Sequence, residues 1–220
     1  MNFKPVFLAV LALGAASAFA QKAGSWSASV GVTKIAPDVT SGNLSAPSLP
    51  GTKVDVGDNT QLTGAVNYSY TDNIAVSVPI GFGFKHNVVG MGAIAGVGTL
   101  ATTKALPITL LGQYRFGAAN ADLRPYLGGG LSYVKFYKTN STAVLTAITN
   151  PGGPATTMSF ESKFAPTIQL GLTYNINDKW YLDGNYTKTF LKTTGTLSTG
   201  QTLNATLNPD GFTFQVGYKF

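Results

Sequence analysis

The 220-residue chain has no cysteine and a single histidine, His86. The first absence excludes a disulfide framework and a thiolate metal site. The second leaves no imidazole cluster to hold a metal. Acyl-transfer chemistry needs a nucleophile, a base and an orienting acid, and no serine here sits in a Gly-x-Ser-x-Gly elbow. His86, flanked by Lys85 and Asn87, reads as a solvated loop residue or a lipid contact rather than a catalytic base. The chain is thus expected to be no enzyme and to carry no cofactor. Charge is also scarce: charged residues make up 11% of the chain, against about 25% in ordinary globular domains. The basic residues are dispersed and no nucleic-acid-binding motif is present, which argues against a nucleic-acid partner. Past the N-terminus there is no run of about 18 apolar residues, so no transmembrane helix is expected.

What is present points to export. Lys4 is followed by the apolar stretch Val6 to Ala16 and then Ala18-Phe19-Ala20, a small-x-small cleavage site. Residues 1–20 read as a secretory signal peptide, too short to span a bilayer, with residues 21–220 as the mature domain.

Within that domain the apolar residues alternate. Ile74, Val76, Val78, Ile80, Phe82 and Phe84 share one face, and Ala75, Ser77, Pro79, Gly81 and Gly83 the other. Phe212, Phe214, Val216, Tyr218 and Phe220 repeat the pattern against Thr213, Gln215, Gly217 and Lys219. Period-2 alternation over about ten residues suits a strand with lipid on one side and a lumen on the other. Six further stretches fit: Trp26 to Thr33, Thr60 to Tyr70, Leu106 to Phe116, Pro125 to Tyr137, Phe164 to Ile176 and Trp180 to Phe190. In the fifth strand the facing changes between Leu127 and Phe136, consistent with a glycine bulge. Four strands close on an aromatic pair two residues apart or its apolar equivalent: Tyr68 and Tyr70, Tyr114 and Phe116, Tyr174 and Ile176, Tyr218 and Phe220. Residues two apart point the same way, so these pairs form one level, the aromatic girdle of a membrane barrel. Connections alternate between short turns and loops of roughly twenty residues, as outer-membrane barrels do. The predicted fold is all-β: an eight-stranded antiparallel transmembrane β-barrel with short periplasmic turns and long extracellular loops.

That topology assigns the remaining features. Lys34, Lys53, Lys85, Lys104, Lys138, Lys163, Lys188 and Lys192 fall in or beside the extracellular loops. There they either decorate solvated surface or meet lipopolysaccharide phosphates. An eight-stranded barrel leaves an interior filled by side chains or room for one small ligand. Inward positions are mainly small and neutral (Ser27, Ser29, Gly31, Thr63, Ala65, Thr109, Gly171, Thr173 and Asn185 among them), and the inward charges are Arg115, Asp183 and Lys219. Such a lumen suits a slender hydrophobic or neutral molecule better than ions, the alternative being a packed, closed interior. The second loop carries Val88, Val89, Met91, Ile94, Val97 and Leu100, a candidate ligand entrance or, equally, the packed hairpin of two strands extended beyond the membrane. Pro79 and Pro107, on adjacent strands, each remove a backbone donor and mark a candidate lateral exit. The third loop, residues 139–159, is rich in Thr, Ala, Asn, Gly and Pro and reads as flexible. Here the alternative function is an adhesive barrel whose loops bind lipopolysaccharide, phage, toxin or host surface.

A set of segments occurs in order along the mature chain: Trp26 to Gly31, Tyr70-Thr71-Asp72-Asn73, Phe84-Lys85-His86, Leu106-Pro107 and Gln113-Tyr114-Arg115-Phe116. Arg124-Pro125-Tyr126-Leu127-Gly128-Gly129-Gly130, Trp180, Asn208-Pro209 and Gly217-Tyr218-Lys219-Phe220 complete it. Together they resemble the OmpW family of outer-membrane proteins. The resemblance implies an eight-stranded barrel with a hydrophobic lumen that passes small apolar compounds across the bacterial outer membrane. It also implies a C-terminal strand, ending at Phe220, read by the barrel-assembly machinery.

Overall fold

The computed structural model describes residues 23–220, so the expected signal peptide lies outside the described residues. Strands β1 (Trp26–Ala36), β2 (Thr40–Ser41), β3 (Thr52–Val56), β4 (Asn59–Ser69), β5 (Ile74–Gly81), β6 (Phe84–Gly92) and β7 (Thr99–Arg115) form the first half. The second half runs β8 (Leu123–Ser141), helix α1 (Ala143–Thr149), β9 (Met158–Phe160), β10 (Lys163–Asn175), β11 (Trp180–Thr189), β12 (Lys192–Leu197), β13 (Thr202–Thr206) and β14 (Asp210–Lys219). The wall is a closed antiparallel barrel of eight strands, β5 and β6 together making one of them: β1 pairs β4 and β14, β14 pairs β11, then β10, β8 and β7 follow, and β7 returns to β5 and β6. Closure pairs the wall strands on both sides, as a membrane demands, except along one stretch between β5 and β7.

The lower rim carries the expected girdle. Tyr70, Tyr114, Phe116, Tyr174, Ile176 and Phe220 are exposed on the outer surface, with Trp26 and Trp180 added to them. Trp26 packs on Tyr68 at 4.8 Å and Trp180 on Tyr218 at 5.0 Å between ring centroids. Amphipathic rings at this level hold a barrel's height in the bilayer.

Above the lipid the apolar pattern inverts, and this accounts for two differences from the sequence reading. Phe84 does not share the face of Ile74 to Phe82: Phe82 is 67% exposed, whereas Phe84 is 4% exposed. The two-residue break between β5 and β6 turns the pleat over, so Phe84, His86 and Val88 point in while Lys85 and Asn87 point out. The reason is the change of solvent. Beside lipid, apolar side chains belong outside; beside water they must turn inward. On β8 the same inversion happens without any change of facing. Leu127, Leu131 and Tyr133 face out toward lipid, and Val134 and Phe136 face in, with Lys135 out. The irregularity lies further on, at Lys138, whose φ is +50°. There β8 gains a residue against β7, between the pairs Thr102↔Asn140 and Lys104↔Tyr137, the two-against-one geometry of a bulge.

The extracellular segments are built rather than loose. β2, β13, β12 and β9 form a second, four-stranded sheet. Together with β3, the β6–β7 hairpin and α1 it encloses a core of Val54, Val88, Ile94, Leu100, Leu145, Met158, Leu197 and Leu203. The third loop, read as flexible, contains α1 and β9, with Leu145 buried in that core. A helix this short is not stable alone; the burial of Leu145 holds it.

Candidate functional site

Three zones divide the barrel interior. At the periplasmic end a polar network fills the cross-section. The Arg115 guanidinium donates to Gln113 Oε1 at 2.8 Å and to Thr173 Oγ1 at 3.4 Å, and lies 5.1 Å from the Tyr126 ring centroid. Gln113 Nε2 donates to Gln169 Oε1 at 2.8 Å. The Asp183 carboxylate accepts from the Tyr126 hydroxyl at 2.9 Å, from Thr173 Oγ1 at 2.8 Å and from Asn185 Nδ2 at 2.9 Å. Lower still, Lys219 Nζ donates to Asn175 Oδ1 at 2.8 Å and Arg124 Nη2 to the Asp72 carbonyl at 2.6 Å.

Two tyrosines are locked into this layer by the strand beside them. Tyr126 stands directly opposite Gly171, and Tyr181 opposite Gly217. In each case the ring lies flat on the glycine, where a Cβ would collide with it. Direct cross-strand neighbours are close enough that only glycine leaves room for a ring turned sideways. Arg115, Asp183 and Lys219 therefore occupy the lumen as expected. Arg124, Tyr126 and Tyr181, the largest buried side chains, were not anticipated; the odd-numbered apolar positions Leu123, Pro125, Leu127 and Leu131 carry the signal that turns Arg124 and Tyr126 inward.

The middle zone is a cavity of about 110 Å³ lined by hydroxyls and small residues. The Thr33 hydroxyl hydrogen-bonds to those of Thr63 and Thr213 at 2.7 and 2.9 Å, and Thr109, Ser132, Thr167 and Thr189 form a second chain at 2.6 to 3.0 Å. These hydroxyls satisfy each other, so the surface they offer is close to neutral. The third zone, under the extracellular cap, is an apolar chamber of about 70 Å³ lined by Ile35, Val54, Val56, Phe84, Phe136 and Leu207. It shares Ile35, Phe84, Pro107, Thr187 and Thr189 with the middle cavity. The lumen is thus hydrophobic in its outer part, as the resemblance implied, and small and neutral below it, as the inward residues implied.

Between the wall strands the middle cavity meets the membrane. β5 pairs with β7 from Ile74↔Tyr114 to Ser77↔Leu111 and then parts from it. Pairing resumes above at Phe84↔Ala105. Among the described residues, the stretches 78–81 and 106–110 face each other with no β5–β7 ladder pairs, and Pro79 and Pro107 stand on opposite sides of this seam. Lipid-facing Ile80 and Phe82 line the cavity together with inward Thr109 and Leu111. Above the seam, β6 takes β3 as its second neighbour in place of β4.

The second-loop residues are placed as a packed hairpin. Val88, Ile94 and Leu100 are buried in the cap core, Val89 and Val97 are half-buried, and Met91 is exposed. His86 is not solvated: it is buried, stacks on Phe84, and its Nδ1 donates to the Gly57 carbonyl at 2.7 Å. That burial pushes its pKa below the ordinary 6.5, partly opposed by the Gly57 bond. Of the loop lysines, Lys34 pairs with Asp58 at 2.6 Å, Lys163 with Glu161 at 2.6 Å and Lys188 with Asp210 at 3.0 Å. Lys53, Lys85, Lys138 and Lys192 are exposed and Lys104 is half-buried.

Comparison with known proteins agrees with this geometry. Residues 22–220 match the model of the OmpW family. Outer membrane protein W of Vibrio cholerae is 32% identical over 218 residues, covering 97% of each chain. The dibenzothiophene metabolism operon protein DoxH of a Pseudomonas species is 26% identical over 171 residues, covering 76% of this chain and 74% of its own. Among solved structures, the outer membrane protein OprG of Pseudomonas aeruginosa superimposes with a TM-score of 0.80 at 26% identity, covering 91% of this chain and 99% of its own. The chain is a barrel of the bacterial outer membrane and not an enzyme: it belongs to the OmpW family.

Proposed function

We propose that this barrel admits small hydrophobic molecules from the outside and releases them sideways into the outer membrane through the seam between β5 and β7. The observation that carries the reading is the gap in the β5–β7 ladder at Pro79 and Pro107, where the middle cavity borders on lipid-facing Ile80 and Phe82. Two features support it. The buried network of Arg115, Gln113, Gln169, Tyr126 and Asp183 obstructs the axial route, so a solute in the middle cavity has an easier way out through the wall. The apolar chamber under the cap offers a guest the same environment as lipid, while the hydroxyl-lined cavity below binds it weakly enough to let it go. The relative from a dibenzothiophene metabolism operon is consistent with a slender apolar aromatic as the class of guest.

The test is uptake of a small apolar dye into lipid vesicles with and without the protein, alongside single-channel conductance. Faster uptake with little conductance is expected. In the double variant Pro79→Ala/Pro107→Ala the two missing backbone donors return and the seam can pair, so uptake should fall several-fold. Unchanged uptake in that variant would refute the lateral route, and no effect of the wild-type protein would leave a closed barrel.

A further inference from the structure

We propose that Lys85, Lys104 and Lys135 form a binding site for the phosphates of an outer-leaflet phosphoglycolipid, seated directly above the seam. The three lie on adjacent strands and point out of the barrel. Lys85 stands directly opposite Lys104 in the β6–β7 ladder. Lys135 stands opposite Leu106, one pleat below Lys104, in the β7–β8 ladder. Cross-strand neighbours on one face are about 5 Å apart and diagonal ones about 7–8 Å, within which flexible lysine stems converge on one anion.

Like charges placed opposite each other destabilise a sheet, and none of these three has a carboxylate within ion-pair distance among the described residues, unlike Lys34, Lys163 and Lys188. An anion is therefore what the patch lacks. Its height specifies the source. Lys135 follows Tyr133 by one pleat, and Tyr133 packs on Phe164 at 4.8 Å between centroids, with Phe82 exposed beside the seam. On these strands the next outward-facing positions above the rings are the lysines, which therefore sit where lipid headgroups begin. A lipid whose phosphates engage them lays its acyl chains down the wall over Ile80, Phe82 and Ile108. Tyr137, paired opposite Lys104, reaches across β7 to Gly83 at the foot of this patch. Lys135 was absent from the lysines singled out in the sequence; only the ladder brings it beside the other two.

The experiment is retention of purified diphosphoryl lipid A by the protein in neutral detergent, read by native mass spectrometry, so it does not depend on transport. Wild type should hold one lipid, and Lys85→Gln/Lys104→Gln/Lys135→Gln should bind about a hundredfold more weakly, from roughly fivefold per charge removed near a membrane surface. The corresponding triple arginine variant should retain it, which controls for misfolding, and Lys53→Gln/Lys192→Gln should bind as wild type. Dephosphorylated lipid A should not compete. Equal retention by the glutamine triple, equal competition by dephosphorylated lipid A or by phosphatidylglycerol, or displacement by millimolar inorganic phosphate, which would make the ligand a free anion, would each overturn the proposal.

Discussion

The backbone N–H of Gly83 donates to the hydroxyl of Tyr137 at 3.2 Å, across the intervening strand β7. The tyrosine thereby straps the top of the seam, and its ring occupies the space a side chain at position 83 would need. Tyr137→Phe removes a bond worth about 1 kcal/mol and should raise apolar-dye uptake roughly fivefold. Gly83→Ala, which displaces the ring, should do the same in the vesicle assay. Both variants should leave ionic conductance at the wild-type level.

The periplasmic network makes the opposite prediction. Arg115→Ala/Tyr126→Ala empties the layer that closes the barrel axis. Conductance across a planar bilayer should rise clearly above wild type, while apolar uptake through the wall should change little. A barrel that stays non-conducting after this double change would place the axial barrier elsewhere.

Asp183 accepts three hydrogen bonds in a layer otherwise containing the cations Arg115, Arg124 and Lys219. Removing one side of a buried charge arrangement costs about 3–5 kcal/mol. Asp183→Ala should therefore lower the urea midpoint of unfolding from lipid vesicles, measured by tryptophan fluorescence.

The fit of Tyr126 on Gly171 can be measured as a coupling. Gly171→Ala should destabilise by about 1–3 kcal/mol through overpacking, and the loss should largely disappear in a Tyr126→Ala background. Additive costs in the double-mutant cycle would mean the ring does not rest on the glycine.

His86 gives the cap a pH dependence. Its pKa in the fold lies below the unfolded value of 6.5 because burial disfavours the charged ring. The unfolded chain therefore binds the proton more readily. The contribution of the neutral ring is complete above pH 6.5 and is lost as pH falls from there toward the folded pKa. Amide exchange in β3 and β6, corrected for intrinsic rates, should quicken between pH 7.5 and 5.5. His86→Asn, which can keep a donor for Gly57, should flatten the response.

Strand number, facing within the lipid, the girdle, and the identity of Arg115, Asp183 and Lys219 as lumen charges were legible in the sequence. Each depends on neighbours two residues apart, and a bilayer enforces that alternation locally, residue by residue. The two prolines were legible as missing donors for the same reason. What lay beyond the sequence was set by partners distant along the chain. Whether β5 and β7 pair beside those prolines depends on closure of the barrel. Tyr126 and Tyr181 turn sideways because Gly171 and Gly217 stand opposite them in the register. The inward turn of Phe84 and His86, and the burial of Val88, Ile94 and Leu100, required the cap sheet and β3, since above the membrane an apolar residue faces whichever surface another segment dries. Alternation thus determined that the chain crosses a membrane, and long-range packing decided where its wall is closed and where it is not.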